Sequence, residues 1–227
     1  MHIGLIGGIG PAATDFYYRR LIAAYAELDT DLELTIVHAD TPTLLKHLAA
    51  NDQAAQTAIY QRLTKRLVQA GAECVVVTSI AGSFCITPFK AVSPLPVIDI
   101  IEAVNAHIVE RGLKRVGILG TRTVMESRFY GSIQSAEVIP PAGDLLAATH
   151  DAYVAMAASG EATAAQRQVF AQASRHLLQD FGAEAIMLGG TDLALVYSHG
   201  QAEFPLVDCA AIHVDAIINA AAGANPG

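Results

Sequence analysis

Three thiols, one histidine near the C-terminal end and one glycine turn are the parts of this sequence with the most chemistry to offer. The thiols are Cys74, Cys85 and Cys209. A thiol titrates close enough to neutrality to give and to take a proton. Cys74 lies inside the apolar run 74–78 and reads as a small buried hydrophobe. Cys209, behind Asp208, reads the same way. Cys85 follows the run, in a loop and short helix, and is the cysteine placed to approach a cleft. His213 could act as a general base or pack at a helix end. Asp40 could orient an amine, or close an Asx turn before Thr41-Pro42. Lys46 could pair a carboxylate or stay solvated. The stretch Gly8-Ile9-Gly10-Pro11-Ala12-Ala13 fits G-x-G-x-x-A, but the acidic partner, Asp40, comes about 30 residues on instead of about 20. A plain glycine turn, or a helix N-terminus holding a carboxylate, accounts for it without a nucleotide. No Cys/His/Asp spacing suggests a metal. The expectation is no cofactor and no metal.

The elements that must carry these groups repeat once. Gly4-Leu5-Ile6-Gly7 followed by Thr14 and Phe16 returns as Gly117-Ile118-Leu119-Gly120 followed by Ser127 and Phe129, 113 positions later. Gly71-Ala72-Glu73-Cys74 returns as Gly182-Ala183-Glu184-Ala185, 111 positions later. So long a period in 227 residues means two similar halves, not a solenoid. Short apolar runs near 3–7, 32–38, 74–78, 96–98, 115–119, 136–139, 185–188 and 206–207 read as strands. They alternate with helical periodicity near 11–27, 44–51, 53–70, 100–111, 126–134, 144–158, 164–181 and 210–222. That alternation predicts parallel sheets covered on both faces, with ligands at the carboxyl ends of the strands.

Composition narrows the function classes. Hydrophobic residues make up 52% and charged residues 16%, which suits fully buried strands and excludes a disordered chain. A formal charge of −8 without a basic cluster offers nothing to a phosphate backbone, so no nucleic-acid partner is expected. Met1-His2-Ile3-Gly4 lacks a basic n-region, and no apolar stretch approaches the roughly 18 residues that span a bilayer. An odd number of cysteines fits a reducing cytosol. The expectation is a soluble, acidic, cytoplasmic protein that does not enter membranes.

In order, Gly4 to Thr14 with Tyr17-Tyr18-Arg19, then Gly117 to Thr121 through Met125-Glu126 to Phe129-Tyr130, then Leu188-Gly189-Gly190-Thr191-Asp192, and finally Asp208 to His213 form a specific set. The chain resembles the cofactor-independent aspartate/glutamate racemase family along nearly its whole length. The resemblance implies an α/β fold of two pseudo-symmetric parallel-sheet halves with the active-site cleft between them, residues 1–97 with 208–227 forming one and 98–207 the other. It implies a small carboxylate or amino acid as substrate, no cofactor, and a homodimer. Each half of such an enzyme offers one cysteine; one thiolate removes the Cα proton and the opposite thiol returns one to the other face. Those two positions fall here on Ser79 and Gly190, 111 apart like the repeat. Around them the resemblance puts Gly8, Asp40, Thr78, Ile80, Thr121, Thr123 and Thr191 at the substrate, through backbone N–H groups and hydroxyls. Cys85 is the candidate substitute base. Three readings follow: proton transfer at Cα, a decarboxylase, lyase or isomerase using an enolate-like intermediate, and a carboxylate-binding protein without turnover.

Overall fold

In this computed structural model, residues 1–8, 11–197 and 202–223 are described. The chain divides into two compact units, Met1–Ile100 with the segment beginning at His213, and Ile101–Ile212.

The first unit holds strands β1 (Ile3–Gly7), β2 (Leu34–His38), β3 (Cys74–Val77) and β4 (Val97–Ile98). They form one parallel sheet in the order β2-β1-β3-β4. β1 and β3 are buried at every residue, as strands covered on both faces must be. Helices α1 (Pro11–Glu27), α2 (Thr41–Ala49), α3 (Gln53–Gln69), α4 (Ile86–Val92) and most of the last helix complete this unit. Asp52 caps α3 by accepting the Ala55 N–H at 2.9 Å, and the chain turns out of the helix at Gly71, φ 89°.

The second unit repeats the arrangement with β5 (Arg115–Leu119), β6 (Glu137–Ile139), β7 (Ala185–Leu188) and β8 (Leu206–Val207), parallel in the order β6-β5-β7-β8. It carries α5 (Ile100–Glu110), α6 (Arg122–Glu126), α7 (Gly143–Ser159) and α8 (Ala164–Gln179), and α9 (Cys209–Gly223) leads back to the first unit. A capping box of Thr163 and Gln166 starts α8. Leu119, Ile186 and Leu188 pack with Phe170, Ala173 and Leu177 of α8 in the core.

The repeated glycines have a steric reason. A Cβ on Gly4 would lie 2.9 Å from both the Cys74 carbonyl oxygen and Leu67 Cδ1; a Cβ on Gly117 would lie 2.9 Å from Leu177 Cδ1 and Ile186 Cδ1. In each unit a helix leucine reaches down onto the central strand at that point.

One expected helix is corrected. Residues 126–134 do not continue as a helix, because α6 ends at Glu126 and Arg128, Phe129 and Tyr130 adopt left-handed backbone, φ 52°, 59° and 58°. The fully buried Phe129 side chain, the Phe129 N–H bond to the Val124 carbonyl (2.9 Å) and the Tyr130 N–H bond to Ser127 Oγ (2.9 Å) hold this turn. Three consecutive non-glycine residues there store backbone strain that the packing must offset.

Candidate active site

In the first unit the chemistry lies at the carboxyl ends of β1 and β3. Gly8 turns at φ 91°, and a Cβ on it would sit 2.5 Å from His38 Cε1 and 2.6 Å from the Ala39 carbonyl oxygen, so only glycine fits. Its N–H donates to Thr14 Oγ1 at 2.8 Å. Thr14 and Thr78 hydroxyls meet at 3.4 Å, and Thr78 donates to the Ile6 carbonyl at 3.2 Å. Because Thr78 spends its single proton on Ile6, Thr14 donates to Thr78, and the chain runs one way from Gly8 N–H to Ile6 C=O. Gly8 and Thr14 border an open pocket of about 340 Å³ with Asp15, Tyr18 and His38.

Ser79 follows directly and is buried. Its Oγ accepts the Gly82 N–H at 3.1 Å, and its carbonyl accepts from Ser83 Oγ at 3.0 Å. The residue thus heads the 3₁₀ turn Ala81–Cys85. Among the described residues no histidine is bonded to Ser79 that could activate it as a nucleophile. Ile80 is buried beside it. Asp40 is exposed and caps α2, accepting Thr43 N–H at 2.9 Å and Thr43 Oγ1 at 2.5 Å; these bonds hold its carboxyl below the ordinary value. The Asx-turn reading of Asp40 is therefore the one its geometry shows, and Lys46 is exposed in the last turn of the same helix.

Cys85 lies at the end of the 3₁₀ turn with no exposed surface. Its thiol points to the Gly82 carbonyl, 3.8 Å away, and burial pushes its pKa up to about 11. A thiol in that state is protonated at neutral pH and is not the thiolate a substitute base needs. Burial likewise raises Cys74 and Cys209. His213 is buried too: Tyr17 OH donates to Nδ1 at 2.7 Å, and Nε2–H donates to the Ile98 carbonyl at 2.9 Å. Burial lowers its pKa to about 4. Both ring nitrogens are used, so His213 ties α1, α9 and β4 together and has no lone pair left for a substrate proton.

In the second unit the corresponding ends are those of β5 and β7. Thr121 caps α6, its Oγ1 accepting the Val124 N–H at 3.3 Å, and Thr123 is exposed on the same short helix. Gly190 precedes the 3₁₀ turn Thr191–Leu195, as Ser79 precedes its own turn. A Cβ on Gly190 would overlap the Tyr153 hydroxyl and lie 2.5 Å from ring atoms Cε2 and Cζ. Tyr153, from α7, donates to Asp192 Oδ2 at 2.9 Å. One turn earlier, His150 Nδ1 accepts the Arg122 N–H at 3.1 Å. Helix α7 is thereby pinned to the loops after both β5 and β7. Tyr153 was not among the residues singled out by sequence; it lies 37 positions before Gly190 on another element, and only packing brings them together. Among the described residues no cluster of His, Cys, Asp or Glu could hold a metal ion, and no helix is long and apolar enough to cross a membrane.

Each unit is a parallel α/β sheet of the open kind, in which ligands bind outside the carboxyl ends of the strands. The chain matches the Asp/Glu/Hydantoin racemase family over residues 6–217, and it belongs to that family. A Yersinia pestis protein provisionally assigned as an Asp/Glu racemase is 26% identical, with a TM-score of 0.86 over 98% of this chain and 100% of that one. An aspartate racemase homologue from Pyrococcus horikoshii OT3 is 25% identical, with a TM-score of 0.81 over 97% and 99% of the two chains. The aspartate racemase of Picrophilus torridus shares the fold at 18% identity, TM-score 0.74, over 98% and 95%.

Proposed function

We propose that this chain moves a proton at the alpha carbon of a small amino acid or carboxylic acid without a cofactor. The observation that carries the reading is the equivalence of two strand-end turns, Thr78-Ser79 after β3 and Gly189-Gly190-Thr191 after β7, in a chain of the racemase family. Gly8, Thr78 and Ile80 shape the strand-end turn of the first unit, where the Gly8 N–H is held by Thr14 and both Thr78 donors by Ile6. In the second unit Thr121, Thr123 and Thr191 offer N–H groups and hydroxyls to a carboxylate and to the charge that grows on it as Cα loses a substituent. Asp40 serves by capping α2 and so fixing the loop that follows β2. By the same family likeness the protein is read as a cytoplasmic homodimer, which light scattering at micromolar concentration would test.

The residue types at the two turns favour a second reading within the same chemistry. Ser79 offers a hydroxyl, Gly190 offers no side chain, and a two-thiol exchange has neither of its groups. Decarboxylation through an enolate-like intermediate asks for one proton donor and no Cα base, because the departing CO2 leaves its bonding pair on Cα.

The test is solvent exchange. The purified chain is incubated in D2O with L- and D-aspartate and L- and D-glutamate separately, and the Cα–H signal is followed by NMR with chiral analysis. Exchange with inversion supports racemisation, and loss of substrate to a new product supports the second reading. Thermal stabilisation by these acids without turnover would leave a binding protein. No exchange above a heat-killed control, with no product and no stabilisation, sinks the proposal for these substrates.

A further inference from the structure

The second family thiol position is not empty space. The phenol of Tyr153 fills it: a Cβ on Gly190 would overlap Oη and sit 2.5 Å from Cε2 and Cζ, far inside contact distance. Any longer side chain growing from Gly190 would need the volume that the Tyr153 hydroxyl now occupies. Glycine at 190 and tyrosine at 153 are therefore a matched pair, since the ring can reach the strand end only when position 190 has no side chain.

The surroundings keep the phenol protonated. Tyr153 is 8% exposed. Burial, and then the Asp192 carboxylate beside it, push its pKa well above the ordinary 10, with the Tyr130 phenol adding to the rise. Such a hydroxyl carries its proton throughout the neutral range and cannot act as a standing base; with Asp192 opposing the phenolate, it gives its proton only to a strongly basic centre such as a carbanion. Asp192 Oδ2 holds the O–H at 2.9 Å and fixes the ring's orientation; rotation about Cζ–Oη re-aims the proton without moving the ring. Tyr130, near enough to act on the Tyr153 phenol electrostatically, belongs to the strained left-handed turn at Arg128–Tyr130, and strain of this kind commonly marks function.

We propose that Tyr153 replaces the missing thiol of the Gly190 loop as the proton donor to the alpha carbon. The step rests on the second reading above, in which a carboxylate leaves Cα and a proton takes its place. When CO2 leaves an acid with two carboxylates on one carbon, the pair of the broken C–C bond stays on Cα, delocalised into the remaining carboxylate; it takes the Tyr153 proton and becomes the new C–H bond. The O–H pair stays on the phenolate oxygen, which water then reprotonates. Because the group starts as phenol, this half of the site works in one direction, and product is protonated from the Tyr153 side alone.

Two measurements on the full chain test it. In the first, Tyr153→Phe keeps the ring and removes the hydroxyl, and exchange or product formation is followed with the four amino acids and with methylmalonate. With an active wild type, the expected result is a fall of about 100-fold, the scale of one general acid, with unchanged thermal stabilisation by the same ligands. A variant that keeps more than half the rate overturns the assignment. The second measurement needs no turnover. Protein labelled with 13C at tyrosine Cζ gives a Tyr153 signal identified by its loss in Tyr153→Phe. That signal should move on saturation with a stabilising acid, and a signal that stays fixed overturns the assignment. An inactive wild type whose Tyr153 signal still moves sinks the proton-transfer function and, with it, the delivery step, while supporting contact between the phenol and the ligand. As a check on the shared space, Gly190→Cys with Tyr153→Ala should yield one thiol that reacts with maleimide in the native protein. An unreactive thiol in that folded double variant counts against the placement.

Discussion

The hydroxyl of Tyr17 donates to Nδ1 of His213 at 2.7 Å, across 196 positions of sequence. With Nε2–H on the Ile98 carbonyl, the imidazole is fixed as one neutral tautomer with both nitrogens engaged. Protonation would put a second hydrogen on Nδ1, facing the Tyr17 oxygen, in a place without solvent.

Stability should therefore depend on pH through His213. Its folded pKa, about 4, lies below the unfolded value near 6.5, so between these limits the unfolded chain holds the extra proton. The contribution is fully present above about pH 6.5 and falls away as pH drops toward about 4, by about 3 kcal/mol if no other group titrates. Urea midpoints of wild type and His213→Gln across pH 4–7.5 check this. The variant is expected to be weaker at neutral pH and to lose the part of the slope that His213 supplies.

The three cysteines should be silent in the native state. Each is buried, and burial raises the pKa of each. A disulfide-exchange reagent at pH 7.5 is expected to find no fast thiol in folded protein and three after denaturation. Cys85→Ala should leave any Cα exchange within twofold of wild type and cost about 1 kcal/mol of stability.

The repeated strand glycines should resist substitution. Gly4→Ala meets a backbone carbonyl at 2.9 Å, whereas Gly117→Ala meets only side chains. Both are expected to destabilise by about 1–3 kcal/mol in chemical denaturation, with Gly4→Ala the costlier because the backbone cannot turn aside.

The hydroxyl relay in the first unit can be cut at its middle. Thr14→Val removes the acceptor for the Gly8 N–H and the donor to Thr78 while keeping the shape. The expected cost is about 1–3 kcal/mol for the stranded groups, together with weaker thermal stabilisation by carboxylate ligands. Unchanged ligand stabilisation would mean that the Gly8 turn does not touch them.

The architecture could be read from the chain because its signals are local and doubled. Buried runs such as 74–77 and 185–188, helix-ending glycines and the repeat itself all survive in one dimension. The turn at Arg128–Tyr130 did not, since a run with helical periodicity carries no mark of left-handed backbone; the buried Phe129 decides it. Ser79 and Gly190 were picked out through the family motifs, and both stand at the head of a 3₁₀ turn after a central strand. What fills the space at Gly190 was not, because Tyr153 belongs to a helix whose apolar pattern explains a tyrosine equally well as core. Cys85 looked available from its spacing, and only the packing around the 3₁₀ turn shows that it is closed off.

The first unit is discontinuous in the chain, being completed by the segment that begins at His213, whereas the second is one continuous stretch. During synthesis, the Ile98 carbonyl and the Tyr17 hydroxyl leave the ribosome more than a hundred residues before the imidazole that joins them. The unit made first must then wait, its sheet formed but its last helix missing, while the unit made second can close on its own residues. The order of completion is the reverse of the order of synthesis, and a nascent chain stalled before residue 213 would expose the apolar surface that α9 covers.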